Sequence, residues 1–144
     1  MGSYRYKISL RLQHPTADPA EFTRVLGLVP SHSHKSGEPR LSYKGEPMSG
    51  CNKETLWVTE VAKGRWPDVD LSAAIEAAVG RIAGHKALFE RIRTEGGHAE
   101  FFIGWFVGDQ NGDCFDCDLL GRLAELKIDL SFDVYAEPSG DGPD

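Results

Sequence analysis

Tyr4-Arg5-Tyr6-Lys7-Ile8-Ser9-Leu10-Arg11-Leu12 alternates apolar and polar side chains without a break, and Ile128-Asp129-Leu130-Ser131-Phe132-Asp133-Val134-Tyr135 repeats the alternation near the other end of the chain. A period of two belongs to a strand with one dry face and one wet face, so both segments predict strands buried on a single side. A sheet wetted on one face takes its helices on the other. The wet faces differ in sign, with Arg5, Lys7 and Arg11 on the first strand and Asp129 and Asp133 on the last.

Between them, Asp18, Pro19 and Glu21 predict an N-cap, a first-turn proline and a capping box for a helix whose Phe22, Val25 and Leu26 form an apolar stripe ended by Gly27. From Leu28 to Glu54 the pattern dissolves among Ser31, Ser33, Ser36, Gly37, Pro39, Gly45, Pro47 and Gly50, which reads as a long loop with room for a small hairpin around Leu41 to Tyr43. Thr55 to Val61 resumes as a strand, and Gly64, Trp66 and Pro67 turn the chain. Asp70 then caps a long helix carrying Leu71, Ile75, Val79, Ile82, Phe89 and Ile92, weakened in its middle by Gly80 and Gly84 and ended by Gly96 and Gly97. His98 to Val107 is the most apolar strand, and a loop through Asn111 and Gly112 leads to a short helix with Leu119, Leu120, Leu123 and Leu126. Only Lys127 separates that helix from the last strand, which predicts a left-handed backbone where glycine is normal.

The order β-α-loop-β-α-β-α-β gives an α+β two-layer sandwich, with a four-stranded, mostly antiparallel or mixed sheet and helices packed on one face. Residues 1–136 read as a single domain, and 137–144, acidic and without an apolar anchor, read as a disordered tail. A chain of 144 residues with 40% hydrophobic and 26% charged residues suits one soluble core. No apolar run approaches the roughly 18 residues of a membrane span. Three cysteines, an odd number, argue against a disulfide framework and fit a reducing compartment, so a cytoplasmic location is expected, with no membrane association.

The net charge of −6 is split along the chain: Met1 to Arg93 hold 14 Lys/Arg and 10 Asp/Glu, whereas Thr94 to Asp144 hold 2 and 12. The simplest use of the split is cross-strand pairing of Arg5, Lys7 or Arg11 with Asp129 or Asp133, each pair contributing roughly 0.2–1 kcal/mol. An acidic patch meeting a basic partner is the other. The excess of acid opposes nucleic-acid binding, which depends on releasing counterions from phosphates.

Tyr6-Lys7-Ile8-Ser9-Leu10, Phe22-Thr23-Arg24-Val25-Leu26-Gly27-Leu28 with Pro30, His34-Lys35-Ser36-Gly37-Glu38, Leu56-Trp57, and Leu120 to Leu126 running into Ile128 to Tyr135 together resemble a bacterial family, domain of unknown function 4279. The resemblance spans nearly the whole chain in the right order, through motifs that are mostly structural punctuation. It implies a small bacterial protein and carries over no activity, cofactor or catalytic residue. The family usually has glycine where this chain has Lys127, and Cys114 and Cys117 are not part of the resemblance.

If Phe101, Ile103, Trp105 and Val107 face the helices, then Phe102, Gly104 and Phe106 face the other way, as do Leu56, Val58 and Glu60 if Trp57, Thr59 and Val61 face inward. Such an apolar patch calls for cover: the 28–54 loop, a homodimer, or another protein or ligand. Ser31, His34, Lys35 and Gly37 gather hydroxyl, imidazole, ammonium and backbone amides that could cradle an anion. A zinc site from alternate histidines, or from Cys51 with Cys114 and Cys117, is a weaker reading, and a redox thiol at Cys114 or Cys117 weaker still. Asp129 and Asp133 stand roughly 13–14 Å apart by strand rise, too far to act as a carboxylate pair on one bond. No catalytic residue, metal ligand or cofactor is therefore assigned. The expected function is a non-enzymatic binding or protein-interaction module, of immunity or regulatory type, using the open sheet face. The rival is a small enzyme, or a sensor of a ligand or anion, with a pocket between the long loop, Trp57, Trp66, Trp105 and the last strand. The candidate binding residues are Ser31, His34, Lys35, Gly37, Trp57, Trp66, Phe102, Phe106, Asp133 and Tyr135.

Overall fold

The computed structural model describes residues 3–108 and 112–136, so the 137–144 tail and Asn111 lie outside the described residues. The chain runs β1 (Tyr4–His14), α1 (Pro19–Leu26), β2 (His32–His34), β3 (Pro39–Leu41), β4 (Pro47–Cys51), β5 (Thr55–Trp66), α2 (Leu71–Ile82), a 3-10 turn (Ala83–His85), α3 (Lys86–Thr94), β6 (His98–Val107), α4 (Cys117–Glu125) and β7 (Ile128–Ala136). The fold is mixed α+β. Its main sheet has five strands in the order β2-β5-β1-β6-β7, with β3 and β4 forming a separate two-stranded hairpin, so the expected four-stranded count is corrected. The additional strand comes from the supposed loop: His32, Ser33 and His34 pair antiparallel with Val58, Trp57 and Leu56. Three residues without an apolar alternation leave no strand signal in the sequence.

β1 lies in the middle, antiparallel to both β5 and β6, while β7 joins β6 in parallel. A parallel neighbour requires a crossover, and α4 supplies it. The alternation read from the sequence governs burial. Ile8, Leu10, Leu12, Trp57, Phe101 and Ile103 are fully buried and share one core with Phe22, Leu71, Ile75, Phe89 and Ile92 from the helices. A β-bulge interrupts the β1–β5 register between Ile8 and Ser9, so Val61 and Ala62 both pack against that core.

The helices differ from expectation in their ends. Asp18 caps α1 by accepting from the Ala20 N–H, but Glu21 does not close a capping box; its carboxylate reaches Arg91 at 2.6 Å. The single long helix from Asp70 breaks into α2, a 3-10 turn containing Gly84, and α3. Asp70 makes no side-chain cap. Instead, Asp113 accepts from the Ser72 N–H at 2.7 Å and the Tyr4 hydroxyl accepts from the Leu71 N–H at 3.0 Å, which satisfies two of the orphan amides of the first turn from distant parts of the chain. Lys127 has φ 59°, the left-handed conformation its position predicts, and is the only non-glycine with positive φ among the described residues. No helix is long and apolar enough to cross a membrane among the described residues.

Candidate functional site

Strand register decides which side chains share the outward face. Across β5, β1, β6 and β7, four ranks stand side by side: Val58, Arg11, Glu100 and Asp129; Glu60, Ser9, Phe102 and Ser131; Lys63, Lys7, Gly104 and Asp133; Arg65, Arg5, Phe106 and Tyr135. The expected cross-strand pairing of β1 cations with Asp129 or Asp133 is not formed, because β6 intervenes between β1 and β7. Arg11 reaches Glu100 and Lys7 reaches Glu60, each at 3.5 Å, while the Ser131 hydroxyl donates to Glu100.

Phe102 and Phe106 lie on the open face as the alternation requires, half-buried rather than bare. The Arg11 guanidinium sits 4.4 Å from the Phe102 ring centroid and that of Arg5 sits 5.0 Å from the Phe106 centroid. Tyr135 stacks on the other side of Phe106 at 4.9 Å and 16°. Cations and a neighbouring ring thus supply part of the cover for which the sequence left the 28–54 loop, a homodimer, or another protein or ligand open, at about 0.5–1 kcal/mol for each exposed cation–π contact. The Tyr135 hydroxyl donates to Asp133, and that bond, more than burial, pushes the phenol up from its usual range.

Between the two phenylalanines lies a groove of about 260 Å³, lined by Lys7, Ser9, Arg11, Val58, Phe102, Gly104, Phe106 and Tyr135. Gly104 forms part of its floor; a Cβ there would lie 3.6 Å from the Phe106 ring and occupy that space. Directly beside the groove, Lys7 faces Lys63 and Arg5 faces Arg65 across the β1–β5 ladder. Like charges opposite one another on a sheet are destabilising. One end of the open face therefore concentrates positive charge although the chain as a whole is acidic.

The other expected site residues do not join this groove. Trp57 is fully buried, and its indole N–H donates to Thr23 at 3.0 Å, so it is a core residue of the helix side. Trp66 stacks on Tyr4 at 6.1 Å, and Trp105 meets Tyr4 edge-on at 5.5 Å. Trp57 and Trp66 pair with Leu12 and Tyr4, roughly 27 Å apart along β1, so the three tryptophans do not wall one pocket.

Ser31, His34, Lys35 and Gly37 lie at the far end of the sheet. The Ser31 amide donates to Val58, the Ser36 amide to Thr55 Oγ1, the Gly37 amide to Asn52 and the Glu38 amide to Lys35, so the amides the anion cradle required are spent within the fold. His34 Nδ1 lies 3.4 Å from His32 Nε2. Burial, then the neighbouring His32, holds His34 below the usual imidazole value, against an upward pull from Glu54. Cys51, Cys114 and Cys117 are exposed and free, and no three His, Cys, Asp or Glu side chains gather as a metal-binding group among the described residues.

The alternation put Val58 and Gly104 on the open face without naming them as binding residues; sequence reasoning missed Ser9 as groove lining, and Lys63 and Arg65 as its charged flank. Their residue types carry no signal until the strand order is known. It also missed His14, a 5% exposed imidazole whose Nδ1 accepts from the Thr16 and Ala17 amides and whose Nε2 lies 2.7 Å from Glu95. There the signal was present, since His14 continues the inward phase of Leu10 and Leu12.

No curated protein and no solved structure matches the chain. A family model does match, over residues 4–137, so the chain belongs to the family described as a domain of unknown function, DUF4279.

Proposed function

We infer that the protein is a non-enzymatic binding module in a two-layer arrangement, its helices on one side and a protein partner held on the open side, at the groove between Phe102 and Phe106. The observation that carries this reading is the double like-charge rank, Lys7 against Lys63 and Arg5 against Arg65, beside the apolar groove. Asp133 stands in the Lys7 rank beyond Gly104, and Glu60 from the neighbouring rank reaches Lys7 at 3.5 Å. An acidic segment of a partner would face the cations Lys63 and Arg65 while an apolar side chain between its acids enters over Gly104. Size favours a protein segment over a small metabolite: the groove of about 260 Å³ falls below the ~300–1,000 Å³ of enclosed ligand sites. An immunity or regulatory role, and a cytoplasmic setting, accord with such a module.

Isothermal titration with a peptide alternating glutamate and phenylalanine tests the reading. Binding is expected, weakened at least about tenfold in Lys7→Glu/Arg65→Glu and weakened again as salt rises, since the attraction is between exposed charges. No heat at millimolar peptide, or unchanged affinity in the double variant, refutes it.

A further inference from the structure

We propose that the chain forms a twofold dimer through the free edge of β7, with α4 lying beside its symmetry mate over the seam. This surface is separate from the open-face groove and stands whether or not that groove binds a peptide.

β7 ends the sheet order, and no strand covers its outer edge among the described residues. The two edges of the sheet are built differently. β2 is three polar residues long, a short edge of the kind that discourages pairing. β7 runs nine residues with no proline and with no register break against β6. Its helix-side row loses cover along its length: Ile128 is 5% exposed, Phe132 39% and Val134 56%. The same row that the sequence marks as dry is wet at its far end.

α4 continues the apolar surface in the second layer. Leu119, Leu123 and Leu126 are buried beneath it, and ion pairs from Arg122 to Glu76 and from Glu125 to Lys86 mark the flank turned toward α2 and α3. At 3.6 residues per turn, the opposite flank holds Cys117, Leu120 and Ala124. Because α2 packs on β5, α3 on β6 and α4 on β7, that flank looks out over the free edge. Leu120 is 46% exposed there. An unpaired backbone, two apolar strand residues and an apolar helix flank thus meet along one side of the molecule.

Charge selects the occupant. Laid antiparallel against its own copy over its full length, β7 places Ile128 opposite Ala136, Asp129 opposite Tyr135, Leu130 opposite Val134, Ser131 opposite Asp133, and Phe132 on the twofold axis. No acid faces an acid. Slipping the register by one paired step sets Asp129 against Asp133 in one direction and Asp133 against itself in the other. The full overlap is therefore the electrostatically favoured register, and an isologous contact of this kind closes at two subunits.

Light scattering coupled to size exclusion tests this. The wild-type chain at tens of micromolar is expected at twice its 15.9 kDa mass. Phe132→Lys, which brings two ammonium groups to the axis, and Leu120→Lys, on the helix flank, are each expected at the single-chain mass with unchanged far-UV circular dichroism. Phe102→Glu, on the open face, is expected to remain double. A wild-type chain that stays single at millimolar concentration overturns the proposal, as does a double mass in Leu120→Lys or a single mass in Phe102→Glu. Should Phe132→Lys fail to fold, Leu120→Lys decides alone.

Discussion

Phe101 and Phe102 are neighbours in sequence, identical in chemistry and on opposite faces of β6, so truncating each to alanine isolates what the face contributes. Phe101 is fully buried among core residues from β1 and the helices. Phe101→Ala removes a ring from a closed space and is expected to cost about 3–5 kcal/mol, the transfer of the ring plus the cavity left behind. Phe102 is half-buried, covered mainly by the Arg11 guanidinium at 4.4 Å. Its truncation opens no cavity, since water fills the space; it forfeits about 1 kcal/mol of partial burial and about 0.5–1 kcal/mol of cation–π attraction. The gap between the variants should therefore be about 2 kcal/mol, read as the difference in urea midpoints at constant m. Equal losses would refute the assignment of the two faces, and a larger loss in Phe102→Ala would invert it.

Lys127 carries a left-handed backbone at φ 59°, and Lys127→Gly should raise stability by about 0.5–1 kcal/mol, the relief of ~1–2 kcal/mol of steric strain less the added freedom of glycine when unfolded; a lower urea midpoint would contradict this. Asp113→Ala strips the first turn of α2 of the acceptor for the Ser72 amide and should cost about 1–2 kcal/mol, measured by the same midpoint. His34 has its folded pKa depressed below 6.5, chiefly by burial. Below 6.5 the unfolded chain binds more protons than the folded one, so stability should fall as pH drops from neutral through that value toward the folded pKa. His34→Gln should flatten this part of the profile, and a parallel slope in the variant would rule the histidine out as its source.

The parts of the fold legible in the sequence are those in which local chemistry and tertiary environment agree. Tyr4 to Leu12 alternates because one face meets the core, and Lys127 is left-handed because only Leu126 and Lys127 turn the chain from α4 into β7. β2 was not legible, because His32-Ser33-His34 pairs through backbone atoms that every residue has. The break after α2 was overridden by a continuous apolar spacing from Leu71 to Ile92 that survives the 3-10 turn. For the site, Phe102, Phe106, Asp133 and Tyr135 were legible as outward-facing, since period two fixes the face. Which residues flank them was not, because the order β5-β1-β6-β7 is a long-range property. That order brings Arg5 and Arg11 over the rings, while the β-bulge in the β1–β5 pair turns Lys63 and Arg65 outward and Trp66 to the helix side, where period two already puts Trp57.

The claim on which the functional reading stands is that the outward face of the central strands, at the end where Arg5, Lys7, Lys63 and Arg65 converge, is the surface that meets a partner. Amide-resolved NMR during titration with the alternating glutamate–phenylalanine peptide tests it directly. Shifts confined to Lys7, Ser9, Lys63, Arg65, Gly104, Phe106 and Tyr135 are the predicted result. Shifts gathered on the β3–β4 hairpin or on the helices, with those seven amides unmoved, would contradict it.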